Sequence, residues 1–144
     1  ELGIREPRQF QALQDGESVT VADGTSVEPG EVMGPTRPGA AFAYITDTRP
    51  CAGGKHLAKD AALVYHEATF AEDLSDRARE TGHSTAREAA SVAAEAEADQ
   101  LLLGHFSARY ASATPLELQA REVFAPVEAA EELHLYSIPA YFDD

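Results

Sequence analysis

Positive charge is scarce in this chain. Its 144 residues include 25 Asp and Glu against 11 Lys and Arg, of which two are Lys, so the formal net charge is −14. A protein surface contacts phosphates through Lys and Arg, so this composition excludes a nucleic-acid-binding mode in which the chain itself supplies the cations. The same excess of acid excludes docking on an anionic membrane. An acidic surface favours solubility but indicates nothing about the fold.

Cysteine and long apolar runs are also scarce. The single cysteine, Cys51, excludes a disulfide framework and a Cys-rich zinc site. The longest apolar runs are about five residues, too short to span a membrane, and we expect no signal peptide from the opening residues. A Gly-rich phosphate loop is absent as well. We therefore expect a cytoplasmic α/β domain without a membrane partner, in which Cys51 is a buried small hydrophobe.

The sequence predicts a single unit over 1–144, with a hairpin and loop region at 1–39 and a β/α region at 40–144. Residues 1–16 are typical of a short helix, with Pro7 near its start. An alternating apolar segment folds back around Asp23-Gly24, which predicts a β-hairpin. Residues 28–39 are rich in Pro and Gly and predict a loop. A chain of this length can bury a core of its own.

Apolar segments alternate with helical patterns throughout the second region. This alternation predicts a parallel or mixed sheet covered by helices. The predicted strands cover 41–45, 61–65, 100–104 and 133–138, and the predicted helices cover 55–60, 71–80, 84–98 and 115–124.

Ionisable residues follow three of these strands. Asp47, Glu67 and His105 come at successive strand ends, and His83 precedes the long helix. In open α/β sheets, ligands bind beyond the carboxyl ends of the strands, so we expect these four residues to converge although they are distant in sequence. Asp and His are ligand types for zinc or a similar divalent ion.

Each of these residues also has a purely structural interpretation. Asp47 can belong to a turn or a helix cap, His83 to the cap of the following helix, and His105 to a structural hydrogen bond. Glu67 can be a solvated loop acid. The other three histidines have no comparable placement, and we interpret them as structural or surface residues: His56, His66 and His134.

Four segments resemble the ribonuclease Z family, the tRNA 3′-processing endonucleases of the metallo-β-lactamase superfamily. They are Tyr-Ile-Thr-Asp-Thr-Arg at 44–49, His-Glu-Ala-Thr-Phe at 66–70, His-Ser-Thr at 83–85 and Gly-His-Phe-Ser-Ala-Arg-Tyr at 104–110. Their order and spacing fit, and the resemblance covers nearly the whole chain. It implies the C-terminal half of an αββα sandwich, in which helices cover a mixed sheet and a β-hairpin precedes it.

The resemblance also implies a two-zinc phosphodiesterase that removes the 3′ trailer of precursor tRNA. Asp47 is then the carboxylate that bridges both metals, and His105 is a terminal ligand. His83 is a catalytic histidine that binds no metal, and Glu67 orients it. Arg49, Ser107 and Arg109 are then contacts to RNA phosphates or structural anchors, and we favour structure for at least one of them.

Two departures from the family pattern limit these expectations. Thr46 stands where the family usually has Gly, and the His-x-His-x-Asp-His cluster, a further His ligand and the basic tRNA-gripping arm are missing. We therefore expect that the chain from Glu1 onward is a C-terminal half that binds zinc weakly and is inactive alone. It is expected to pair with a second copy or a complementary N-terminal half. The alternatives are a non-catalytic self-association module and another hydrolase of the superfamily that acts on a small phosphodiester or ester.

Overall fold

The computed structural model describes residues 2–34 and 39–138. The chain divides into two compact units, Glu1–Pro38 and Gly39–Asp144. This division lies beside the predicted boundary between the hairpin region and the β/α region. The organisation of the chain as a single unit stays a prediction.

The first unit contains two short helices and a hairpin, which are α1 (Pro7–Gln14), β1 (Val19–Thr20), β2 (Ser26–Val27) and α2 (Pro29–Val32). The predicted first helix and hairpin are confirmed. The strands pair antiparallel, and the turn between them contains Gly24, whose φ of 90° suits glycine. Leu13, Val21 and Val27 form a small core.

The prediction of a loop over 28–39 is wrong in its first part, because residues 29–32 form α2. Pro29 occupies the first turn of that helix, where a missing N–H costs nothing. Glu28 and Glu31 form a capping box that satisfies the backbone donors of this turn. Residues 35–38 of the predicted loop lie outside the described residues.

The second unit alternates strands with helices, as predicted. Its strands are β3 (Phe42–Ile45), β4 (Leu63–Glu67), β5 (Leu101–Gly104) and β6 (Val127–Ala129). Its helices are α3 (Ala52–Ala58), a 3₁₀ turn (Glu72–Leu74), α4 (Ser75–Thr81), α5 (Ala86–Glu95) and α6 (Thr114–Arg121). No helix in the described part of the chain is long and apolar enough to cross a membrane.

The strands of the second unit form one sheet in the order β3-β4-β5-β6. All three pairings are parallel. Each connection contains a helix that returns the chain to the end of the sheet at which the preceding strand began. Among the described residues, antiparallel pairing occurs between β1 and β2 instead. The expected helix-covered α/β sheet is therefore confirmed, while the expected mixing of strand directions is not found in the described strands.

The core between sheet and helices is built largely from alanine, which lets the helices approach the strands closely. α5 begins at a capping box formed by Thr85 and Glu88 and buries an Ala-rich face. Ala43 and Ile45 of β3 join this core, whereas Phe42 and Tyr44 alternate to the other side and are exposed. Aromatic side chains therefore stay accessible on the sheet within the described part of the chain.

The predicted final strand at 133–138 is wrong. Leu133 and Leu135 are fully or almost fully exposed, and the described residues of this segment form no strand. The edge of β5 is already occupied by β6, which aligns Val127 with Leu101. Apolar alternation alone did not indicate that an earlier and shorter segment takes that edge.

Gly104 ends β5 under the ring of Tyr65. A Cβ on Gly104 would lie 2.0 Å from the Tyr65 hydroxyl oxygen and 2.6 Å from a ring carbon. Tyr65 is held there in a stack on Tyr44, with ring centroids 4.6 Å apart. The close approach of ring and backbone explains why glycine precedes His105.

We predict that Gly104→Ala lowers the free energy of unfolding by about 1–3 kcal/mol, because the added methyl group overpacks the Tyr65 ring. The same change in a Tyr65→Ala background should cost much less. Denaturant unfolding of the single and double variants measures the difference. Gly53→Ala is the matched control, since its added Cβ meets only the Cys51 sulfur at 3.9 Å. If Gly104→Ala lowered the free energy of unfolding equally in the wild-type and Tyr65→Ala backgrounds, the prediction would be contradicted.

Candidate active site

Two strand ends and the start of a helix bring Asp47, His83 and His105 together. One ligand atom from each side chain lies within 4.8 Å of the others. His105 Nε2 is 3.2 Å from Asp47 Oδ1, and the two histidine rings have centroids 5.5 Å apart. Side chains that are 58 residues apart in sequence thus meet beyond the carboxyl ends of the strands.

Asp47 and His105 share an uncommon backbone conformation. Their φ angles are 50° and 55°, in the left-handed region that side chains other than glycine rarely adopt. Such a conformation costs on the order of 1–3 kcal/mol and persists where surrounding contacts enforce it. The two strands therefore end in strained residues whose ligand atoms lie side by side.

Glu67 is the buried centre beneath this cluster. Its side chain has no exposed surface, and both carboxylate oxygens accept hydrogen bonds. Oε1 accepts from the Thr48 amide at 2.7 Å and from His83 Nδ1 at 2.8 Å. Oε2 accepts from the Thr69 hydroxyl at 2.6 Å, the Ser84 amide at 3.1 Å and the Thr69 amide at 3.3 Å. The interpretation of Glu67 as a solvated loop acid is therefore wrong.

These bonds keep Glu67 ionised. Burial alone would raise the pKa of the carboxyl, but hydrogen bonds from Thr69, Ser84, His83 and Thr48 favour the charged form. Their combined effect lowers the pKa of Glu67 below its ordinary value. A buried carboxylate with this many donors acts as a fixed anion.

His83 is oriented by that anion. A carboxylate accepts hydrogen bonds only, so the proton between them belongs to Nδ1 of His83, and Nε2 is the ring nitrogen that Glu67 does not contact. The Phe70 ring stands edge-on to His83 with centroids 6.1 Å apart. Nε2 can therefore serve as a metal ligand through its lone pair, or as a proton donor to a bound group when the ring carries a second proton.

The donor set fits a divalent metal ion. One carboxylate and two imidazole nitrogens are ligands that zinc accepts, and three protein ligands are the usual number at one catalytic zinc. A bound metal would supply Lewis acidity and an acidified water. Two complete metal sites need more ligands than this group of Asp47, His83 and His105 provides.

Arg49, Ser107 and Arg109 lie in the second unit beside these elements. Arg109 donates from Nε to the Ser107 hydroxyl at 3.0 Å, and its guanidinium lies over the Phe70 ring at 4.9 Å. Arg49 reaches toward Gly82, one residue before His83. Both arginines are thus near the His83 segment, and their role in substrate binding stays a prediction.

The remaining histidines stay outside the group of Asp47, His83 and His105. His66 is buried, its Nδ1 lies 2.7 Å from the Glu67 carbonyl oxygen, and burial lowers its pKa. His56 and His134 are exposed.

Cys51 corrects a prediction, because it is exposed and not buried. Its sulfur accepts a hydrogen bond from the Gly54 amide at 3.4 Å and so caps α3. This bond lowers the pKa of the thiol.

Thr48, Thr69 and Ser84 were missed as contributors to the site. All three donate backbone amides to Glu67, and Thr48 and Ser84 contact it only in this way among the described contacts. Every residue type except proline carries such an amide, so the identity of these two residues gives no signal. Thr69 lies two residues after Glu67, and its hydroxyl links Glu67 to His105. The spacing could have indicated that link only if the fold had been known.

Comparison with known proteins places these residues in a family context. No family model matches the chain. Ribonuclease Z of Salinibacter ruber is 59% identical over 137 residues, which cover 95% of this chain. The chain is homologous to ribonuclease Z. Ribonuclease Z of Halorubrum lacusprofundi is 52% identical over 86% of the chain.

Solved structures agree with this homology. The short form of human tRNase Z is 33% identical over 79% of this chain, with a TM-score of 0.57. The metallo-β-lactamase fold protein YhfI from Bacillus subtilis is 27% identical over 62% of the chain, with the same TM-score. The predicted metallo-β-lactamase-type fold is thereby confirmed for the part compared. The chain spans 42% of the Salinibacter ribonuclease Z and 40% of the Halorubrum protein.

We predict that Glu67→Gln lowers the free energy of unfolding at neutral pH by roughly 1–3 kcal/mol for each buried donor left unpaired. The folded-state pKa of Glu67 is lowered, so its stabilisation is complete above the unfolded value near 4.5 and is lost as the pH falls through the folded value. The variant should therefore lose less stability than wild type on acidification below about pH 4.5. Urea titrations at several pH values measure this. Parallel curves would contradict the prediction, and Glu97→Gln on the surface is the control.

Proposed function

We propose that the complete protein is a zinc-dependent endoribonuclease that removes the 3′ trailer of precursor tRNA. The observation that carries this proposal is the meeting of Asp47, His83 and His105 above the buried carboxylate of Glu67. Homology to ribonuclease Z supports it, because that name describes relatives at up to 59% identity. The cytoplasm is the proposed location.

The proposed roles follow from the donor atoms. Asp47 and His105 hold metal, since their oxygen and nitrogen atoms lie 3.2 Å apart on an accessible surface. Asp47 has a second oxygen and so can bridge two ions. His83 directs Nε2 at the scissile phosphate, where it stabilises developing charge or protonates the leaving 3′-oxygen. Glu67 holds that ring in place.

Substrate contacts are assigned to Arg49, Ser107 and Arg109. The Arg109 guanidinium lies over Phe70 and donates from Nε to Ser107, and its two terminal nitrogens are proposed to contact RNA phosphates. Metal ions and these few arginines then supply the positive charge that the net charge of −14 lacks.

The chain by itself is proposed to bind zinc weakly and to be inactive. Asp47 and His105 alone cannot supply three protein ligands to each of two metal ions. A complementary N-terminal half, or a second copy of the chain, is the proposed partner. The exposed rings of Phe42 and Tyr44 support such a partner, because apolar sheet surface is normally covered. The same rings favour the second candidate function, a non-catalytic self-association module.

We predict that a chimera restores activity that the isolated chain lacks. In the chimera, this chain replaces the homologous 42% of the Salinibacter ribonuclease Z. With zinc added it should shorten a 3′-extended precursor tRNA, and chelation should abolish cleavage. The isolated chain should leave the RNA intact. Cleavage is followed on denaturing gels, and a chromogenic phosphodiester is assayed beside it to detect a general hydrolase.

Variants of the chimera separate the proposed roles. His83→Ala should reduce the cleavage rate by about 100-fold or more, the usual scale for a lost acid–base group, with little loss of bound zinc. His105→Ala should reduce both the cleavage rate and the amount of bound zinc. His56→Ala, on the exposed part of α3, is the control. Normal cleavage by the isolated chain, or an inactive chimera that folds and binds zinc, would contradict the proposal.

A further inference from the structure

One threonine hydroxyl connects the buried carboxylate to the second histidine of the site. Thr69 Oγ1 lies 2.6 Å from Glu67 Oε2, 3.0 Å from His105 Nδ1 and 3.1 Å from the His105 carbonyl oxygen. Thr69 is itself buried. Glu67 therefore contacts His83 directly and His105 through Thr69.

We propose that Thr69 is a positioning residue that fixes the neutral tautomer of His105, with the proton on Nδ1 and the lone pair on Nε2. The metal-binding consequence of this tautomer rests on the proposed function. The tautomer itself is a property of the metal-free chain, set by the competition between Thr69 at Nδ1 and Asp47 at Nε2 for the ring proton.

The position of the hydroxyl proton decides the tautomer. A hydroxyl has one proton, and the shortest of its three contacts joins it to a carboxylate oxygen, which can only accept. Two oxygens 2.6 Å apart with no proton between them would repel, so the Thr69 proton lies on the bond to Glu67. Thr69 can then only accept from His105 Nδ1, which must carry a proton.

The consequence appears at the other ring nitrogen. When His105 is neutral and Nδ1 is protonated, Nε2 carries a lone pair, and this is the atom that lies 3.2 Å from Asp47 Oδ1. Without a cation between them, this lone pair and the Asp47 oxygen repel each other, so Asp47 competes with Thr69 for the ring proton. Thr69 is buried, whereas the Asp47 side chain is 68% exposed and can be solvated by water, so the bond to Thr69 is expected to hold the proton. A backbone carbonyl commonly orients a metal-binding histidine in this way, and here a hydroxyl backed by a carboxylate does so.

The same carboxylate thus orders two histidines for different tasks. Oε1 accepts a hydrogen bond from His83 Nδ1. Oε2 accepts one from the Thr69 hydroxyl, which in turn accepts one from His105 Nδ1. In both rings Nε2 is consequently the nitrogen left for a ligand, and in His105 it lies beside Asp47. Thr69 is needed because His105 makes no direct hydrogen bond to Glu67 among the described contacts.

The decisive experiment is a long-range proton–nitrogen NMR correlation of the imidazole rings in the metal-free 144-residue chain. It is recorded with chelator at about pH 8.5, well above the ordinary histidine pKa. His105→Gln identifies the signals of His105. We expect wild type to show the proton on Nδ1. Thr69→Ser keeps a hydroxyl and should keep this pattern.

Thr69→Val removes the hydroxyl at nearly constant volume and should move the His105 proton to Nε2 or give a mixture. Zinc affinity, measured by calorimetry, should fall by about 10-fold or more in the Val variant and recover with Ser. Thr81→Val is the control, since the described hydrogen bonds of that hydroxyl go to backbone carbonyls of α4 and not to the site. A role in loop stability alone would lower stability without moving the tautomer.

A wild-type His105 protonated on Nε2, or a Val variant that keeps the Nδ1 proton, would overturn the proposal. If the Val variant does not fold, the wild-type spectrum and the Ser variant decide. Because the spectrum requires neither metal nor RNA, its failure leaves the proposed nuclease activity standing. An inactive chimera likewise leaves the tautomer standing.

Discussion

The buried carboxylate of Glu67 is the interaction on which the rest of the site depends. It receives bonds from the segment after β3, from its own strand end and from the start of α5, through Thr48, Thr69 and Ser84. Three chain segments are thereby held at one point, and two of them also pair directly, since the Phe70 amide donates to the Ser84 carbonyl oxygen. Removing a charge from water is costly, and this site compensates for it with five donors.

That arrangement accounts for the strained backbone above it. Asp47 and His105 both have left-handed φ angles, a conformation that short polar side chains tolerate best and that needs support from neighbours. Thr48, directly after Asp47, donates its amide to Glu67, and Thr69 contacts both Nδ1 and the carbonyl oxygen of His105. A rigid anion below therefore fixes two exposed ligand-type residues above, which is how a preformed site is built.

Much of this could be predicted from sequence because short apolar runs and capping signals are local. The strands β3 to β5, the capping box of α5 and the meeting of Asp47 with His105 all follow from patterns near each residue. The edge strand β6 could not be predicted, since Val127-Glu128-Ala129 is short and the later apolar alternation at 133–138 is stronger. The role of Thr69 also lacked any local sign, because it depends on which strand lies beside which.

The most direct test of the central role of Glu67 is amide hydrogen exchange in wild type and Glu67→Gln. The amides of Thr48, Thr69 and Ser84 should lose protection together in the folded variant, because one acceptor group serves all three. The Leu101 amide, which bonds to the Pro126 carbonyl, should keep its protection. Unchanged protection of the three amides, or loss at one alone, would show that Glu67 does not hold these segments together.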